Sequence, residues 1–124
     1  MIDFTNGKAF KLSPVDNPSN IQAIMPLLVS GEQVIAQFSA IRDFVIFTNK
    51  RIITVNVQGL TGKKKDFTSL PYSKIQAFSI ETAGTFDLDA ELELSFSGLG
   101  SVKLDFSHSA EIYEIGRMIS EHVL

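Results

Sequence analysis

Phe44-Val45-Ile46-Phe47-Thr48-Asn49-Lys50-Arg51-Ile52-Ile53-Thr54-Val55-Asn56-Val57 is the stretch that decides the fold. Two runs rich in β-branched and aromatic residues flank Asn49-Lys50, which has turn chemistry, and together they predict a β-hairpin. Upstream, Val34, Ala36, Phe38 and Ala40 alternate with Gln33, Ile35, Gln37 and Ser39, the period of a half-buried strand, and Arg42-Asp43 breaks it. Downstream, Gly59-Leu60-Thr61-Gly62 is a loop, Lys63 to Leu70 a polar strand ending at Pro71, and Ser73 to Thr82 a further strand. The cleanest alternation is Asp87-Leu88-Asp89-Ala90-Glu91-Leu92-Glu93-Leu94, with acids on one face and apolar residues on the other. Gly98-Leu99-Gly100 separates it from Val102-Lys103-Leu104-Asp105-Phe106. Seven short strands joined by turns predict an antiparallel up-and-down sheet or barrel.

Helical periodicity stands only at the two ends. Asn17-Pro18-Ser19-Asn20 reads as a helix start, and Ile21, Ile24, Met25 and Leu28 form one stripe. Pro26 should split this segment into one or two short turns. At the other end, Ser107 or Ser109 is the expected cap of a helix whose apolar stripe is Ile112, Ile115, Gly116, Ile119 and Val123. Gly116 in that stripe predicts close approach of the helix to a strand. The expected organisation is an N-terminal helical extension over residues 1–31 and a β-rich domain over 32–124, forming one structural unit.

Composition excludes more than it assigns. With no cysteine among 124 residues, disulfides, thiolate metal sites and cysteine nucleophiles are ruled out. His108 and His122 are too few and too far apart for a histidine-built metal centre. Ser107-His108-Ser109 is adjacency in sequence, whereas a catalytic triad is an arrangement in space. Gly59 to Lys64 fails the spacing of a phosphate-binding loop. No catalytic residue, metal or cofactor is expected. The start lacks the positive and apolar regions of a signal peptide, so the expected location is the cytoplasm.

The net charge of −3 argues against nucleic acid as a partner, yet it conceals a division. Residues 42–74 carry +5 and residues 75–124 carry −7. The basic part holds a candidate anion or lipid patch: Arg42, Lys50, Arg51, Lys63, Lys64 and Lys65. The plainer reading, which we prefer, is that the lysines protect an edge strand from aggregation. Arg51 and Lys50 read as surface residues at a hairpin turn, and Tyr72 as a packing residue with its hydroxyl at the rim. Asp89, Glu91 and Glu93 on an alternating strand form a ladder rather than a converging metal site. Such a ladder suits a head-to-tail contact with the basic region of a second copy. The candidate self-association surface is therefore Ile21, Ile24, Met25, Leu28, Asp89, Glu91 and Glu93, although the apolar stripe is also expected as a flap over the chain's own core.

Seven strands followed by one amphipathic helix resembles the order of a pleckstrin-homology barrel, in which the helix plugs one end. Local motifs extend the likeness: Leu27-Leu28, Gly31-Glu32, Arg42-Asp43, Phe47-Thr48-Asn49-Lys50-Arg51, Gly59-Leu60-Thr61-Gly62-Lys63-Lys64, Pro71-Tyr72-Ser73-Lys74-Ile75 and Gly84-Thr85-Phe86-Asp87. The chain resembles the bacterial pleckstrin-homology domain family across residues 27–94 and in its final helix. The resemblance implies a PH-like barrel that assembles into homo-oligomeric rings and has no established enzymatic activity. The expected function is a non-catalytic, self-assembling protein-interaction scaffold whose partner is itself, with another protein or peptide as a further partner. The alternative is a binding module for anionic lipid headgroups or phosphate, with an anionic membrane surface as partner. Two departures weaken that alternative. No tryptophan stands in the final helix, where Tyr113 or Met118 would have to fill the space, and the loop between the first two strands offers only Arg42 as a cation.

Overall fold

A computed structural model describes residues 11–107 and 110–124. Among the described residues there are eight strands: β1 (Lys11–Pro14), β2 (Val34–Ser39), β3 (Phe44–Thr48), β4 (Arg51–Gln58), β5 (Lys64–Pro71), β6 (Ile75–Glu81), β7 (Ala90–Phe96) and β8 (Gly100–Phe106). Helix α1 (Pro18–Ile24) lies between β1 and β2, and α2 (Ile112–Val123) follows β8. The strand order is β5-β4-β3-β2-β1-β8-β7-β6. The expected count of seven is corrected by β1, which comes from the segment read as a helical extension. β1 pairs antiparallel with β2 and parallel with β8, and so joins two antiparallel meanders into one sheet. Leu12 is fully buried at this junction. A four-residue strand interrupted by Ser13 and Pro14 carries too little periodicity to be seen in sequence.

The sheet curls around a core that draws on β1 to β8 and α2, including Leu12, Phe47, Ile52, Leu92, Leu104, Phe106 and Ile119. Phe38 sits at its centre, edge-on to Phe47 and Phe106 at 5.6 and 5.1 Å between ring centres, a favoured aromatic geometry. β7 realises the expected alternation: Ala90, Leu92, Leu94 and Phe96 are buried, with Glu91, Glu93 and Ser95 between them. Asp87 and Asp89 belong to the preceding loop rather than to the strand, and Leu88 there is exposed.

A second core lies on the outer face of the β2–β4 meander. Ile24 packs there on Phe44, Ile46, Ile53 and Val55, with Ile21 and Leu28 beside it. β3 is consequently buried along its whole length, which explains its continuous apolar run. Asn17 caps α1 by accepting the Ser19 amide at 3.0 Å, Pro18 stands in the first turn, and Pro26 lies in a single 3-10 turn that ends the segment.

α2 buries Ile112, Ile115, Gly116 and Ile119 and packs against β6, β7 and the turn Tyr72–Lys74. A Cβ on Gly116 would stand 3.2 Å from Ile80 Cδ1, so the expected close approach to a strand is made on β6. The cap differs from expectation. Glu111 holds the N-cap position without a side-chain bond, the Ser107 hydroxyl accepts from Ser13 at 2.9 Å, and Ser109 lies outside the described residues, as does His108.

Candidate functional site

The tip of the β3–β4 hairpin, the turn before β2 and the end of α2 meet at one end of the barrel. Gly31, at φ 79°, turns the chain so that Glu32 points inward. The Glu32 side chain is fully buried against the Arg51 guanidinium, with Nε–Oε2 and Nη2–Oε1 both at 2.9 Å. Thr48 Oγ1 donates to Glu32 Oε2 at 2.7 Å, and the Val29 amide donates to Oε1 at 3.1 Å. Arg51 also donates to the Leu27 carbonyl at 2.6 Å and to Ser69 Oγ at 3.0 Å. Burial alone would raise the Glu32 pKa. The hydrogen bonds from Arg51, Thr48 and Val29 outweigh it and hold the carboxylate below its usual range.

Asn49 completes the tie. Its side chain donates to the Gly31 carbonyl at 3.0 Å and accepts the Gln33 amide at 2.8 Å. Tyr72 lies beneath, its hydroxyl donating to the Thr48 carbonyl at 2.7 Å. This buried hydroxyl corrects the expectation of a rim position; burial first, and then the charge of Glu32, push its pKa far up, so it stays a donor. The His122 ring lies 5.0 Å from the Tyr72 ring, and its Nδ1 is 2.7 Å from the Met118 carbonyl. Val29, Glu32, Lys50, Arg51, Tyr72 and His122 line part of an open groove of about 510 Å3. In this groove Arg51 is a largely buried structural cation, its side chain 19% exposed and bound on several sides, not the surface residue expected from the sequence.

Strand pairing separates the candidate anion patch into two ends. Arg51 and Gln58 close opposite ends of β4, paired with Pro71 and Lys64 of β5, roughly 23 Å apart at about 3.3 Å per residue. Lys50 and Arg51 therefore lie at the groove, while Lys63, Lys64 and Lys65 lie at the far end with Arg42. There the Arg42 guanidinium donates to the Gly59 carbonyl, tying the 40–43 loop to the 59–63 loop. Asp43 braces the same region by accepting the Val57 amide at 2.8 Å and the Asn56 side-chain amide at 3.2 Å.

The acids are divided as well. Asp89 pairs with Lys11 at 3.3 Å, and Glu93 with Lys103 at 3.9 Å. Glu91 instead stands between Glu81 of β6 and Asp105 of β8 in one cross-strand row. Burial first, then Asp105, raises its pKa above the usual value. Of the apolar stripe, Ile24 is fully buried and Ile21 and Leu28 partly so, whereas Met25 is 58% exposed. Among the described residues no group of three or more His, Asp or Glu side chains is gathered to hold a metal ion.

Comparison with known proteins fits this architecture. The family model described as bacterial PH domain matches residues 3–123. The chain belongs to the bacterial PH domain family. The uncharacterized protein YjqA of Bacillus subtilis is 40% identical over 119 residues, covering 94% of this chain and 95% of that one. A Shewanella loihica protein with a pleckstrin-homology domain has a crystal structure with a TM-score of 0.81 at 36% identity, covering 94% of this chain and all of that one. A pleckstrin homology domain from Shewanella amazonensis gives 0.68 at 35% identity, with 95% and 94% covered.

In this bacterial PH domain three of the motifs that carry the family likeness converge at the hairpin end, while Arg42-Asp43 and Gly59 to Lys64 lie at the far end. Gly31-Glu32, Thr48-Asn49-Lys50-Arg51 and Pro71-Tyr72 are separate in sequence and form one hydrogen-bonded cluster in space. Each of these residues stands in a recognisable local motif, but no local pattern pairs them. The signal was an acid directly after a turn glycine and an arginine directly after a hairpin turn, but nothing local says that the two meet. Of the two residues expected to stand in for a tryptophan, Tyr113 is 70% exposed, and Met118 is partly buried against the core. No helix among the described residues is long and apolar enough to cross a membrane.

Proposed function

We propose that this bacterial PH domain is a non-catalytic protein-interaction module that associates with copies of itself as a homo-oligomeric ring. The observation that supports this reading is the pair of sheet edges. β5 and β6 end the strand order among the described residues, and each leaves one side without a neighbouring strand. Unpaired edges are templates for strand addition. Their charges are opposite: β5 opens with Lys64 and Lys65, while β6 ends in Glu81 beside Glu91 and Glu93 of β7. A contact between unlike edges is head-to-tail, and repeated by rotation it closes a ring. Charge complementarity sets its register and association rate. The Glu32–Arg51 cluster is then structural, holding the hairpin that carries β4 and, through it, the β5 edge.

Light scattering and native mass spectrometry of the full chain at micromolar concentration test the reading. The expected result is one discrete multiple of the monomer mass, reduced at low salt by Glu91→Lys combined with Glu93→Lys. A monomer across the concentration range removes self-association. A multimer unchanged by the charge reversal at every salt concentration removes the acidic face from the contact.

A further inference from the structure

We propose that the lane beside β2, where β1 stops, is a docking groove for an extended basic peptide, which adds there as a short strand alongside α2. β1 pairs with β2 only at Ser13 and Pro14, opposite Ser39 and Phe38. Past Pro14 the chain gives one more bond, from the Val15 amide to the Gln37 carbonyl at 3.2 Å, and then turns away into α1. Val34, Ile35 and Ala36 therefore have no strand beside them on that side. Ile35 is also the bulged residue of β2, skipped in the pairing with β3, and it is 46% exposed. Bulges re-aim side chains and interrupt pairing, and this one leaves Ile35 lining the lane.

The surroundings define the occupant. Pro14, Ile35, Ala36 and Phe38 on the sheet side, with Ile115 and Met118 of α2, line a groove of about 340 Å3. Glu111 and Glu114 complete the helix wall, and both are exposed. Neither carboxylate has an ion-pair or hydrogen-bond partner among the described residues, Arg117 of the same helix included. An extended segment satisfies all three features. Its main chain bonds the open edge of β2, its apolar side chains alternate into the groove, and the basic side chains between them meet the two acids. Three unpaired positions at about 3.3 Å each give a lane of roughly 10 Å, which seats three or four extended residues. A folded partner fits less well, since a standard interface buries about 800 Å2 on each side. The groove shares no lining residue with the one at Glu32 and Arg51, and it uses neither the β5 nor the β6 edge. It stands apart from the contact between copies.

The probe is a heptapeptide that alternates lysine and valine, titrated into the full chain and followed by amide NMR shifts. Shifts are expected at Ile35, Ala36, Glu114, Ile115 and Met118, and not at Lys50 or Ser69 of the other groove. Only one alternate set of peptide amides faces β2. Of two peptides N-methylated on opposite sets, one should therefore bind like the parent and the other about tenfold more weakly. Glu111→Gln with Glu114→Gln should weaken binding about fivefold at low salt, with the particle mass by light scattering unchanged. Glu121→Gln, on the same helix outside the groove, should leave binding unchanged. Equal binding by the two methylated peptides, equal binding by a glutamate–valine peptide, or shifts confined to other residues overturns the proposal. The same shifts produced by protein concentration alone also overturn it, by assigning the groove to a second copy.

Discussion

Glu32 and Arg51 show how much one residue can depend on another nineteen positions away. A carboxylate without water is strongly penalised unless it is paired and hydrogen-bonded, and Glu32 has Arg51, Thr48 and the Val29 amide. Arg51→Met is expected to cost about 3 kcal/mol, because it leaves that carboxylate buried without a cation. Urea unfolding measures it, and adding Glu32→Gln to Arg51→Met should recover part of the loss. The pH dependence follows from the lowered pKa. The unfolded chain takes up the proton first, near the ordinary value of 4.5, so the stabilisation is fully present above that pH. It is lost as pH falls through the lower folded value, and Glu32→Gln should lack this acid-sensitive component. None of this was legible locally: Arg51 in isolation reads as a hairpin surface residue, and only the folded turn at Gly31 brings the acid to it.

Secondary-structure elements were more legible, to the extent that one face met one environment. β7 reads correctly from Ala90 because its two faces meet core and solvent, and its alternation records that difference. Asp87 and Leu88 continue the pattern in sequence but lie in the loop before it, since pairing with β8 stops at Ala90. β3 carries no alternation because α1 covers its outer side. The stripe on α1 was visible, while the surface it meets was not. Ile24 is fully buried and Met25 exposed, so the two neighbouring residues should behave differently. Ile24→Ala is expected to lose about 2–5 kcal/mol in chemical denaturation, and Met25→Ala less than about 0.5 kcal/mol. Equal effects would show that α1 does not pack on the outer face of β3 and β4.

At the scale of the molecule, β1 joins the β2–β5 meander to the β6–β8 meander, so pairing crosses the whole sheet. The row Glu81, Glu91, Asp105 and Lys11 exists only through that pairing, as each residue comes from a different strand. Like charges directly opposite one another are unfavourable, and Glu91 has an acid on both sides. Its raised pKa means that the folded chain binds the proton more readily than the unfolded one. The penalty is absent below the ordinary value of 4.5 and fully present above the folded value. Glu91→Gln should therefore melt at a higher temperature than the parent at pH 7, with the gap closing toward pH 4.5. A gap that persists in acid would assign the effect to packing rather than charge.

The sequence by itself determined the kinds of element, their order, the family likeness and the separation of charge between the middle and the end of the chain. These are local properties, written in periodicity, turn residues and composition. The tertiary structure alone decided the partners: β1 as the joining strand, Arg51 for Glu32, Thr48 for Tyr72, and α2 as the wall beside the open edge of β2. The physical reason is that pairing and burial depend on distance in space, and chain folding brings together residues whose separation in sequence carries no record of it.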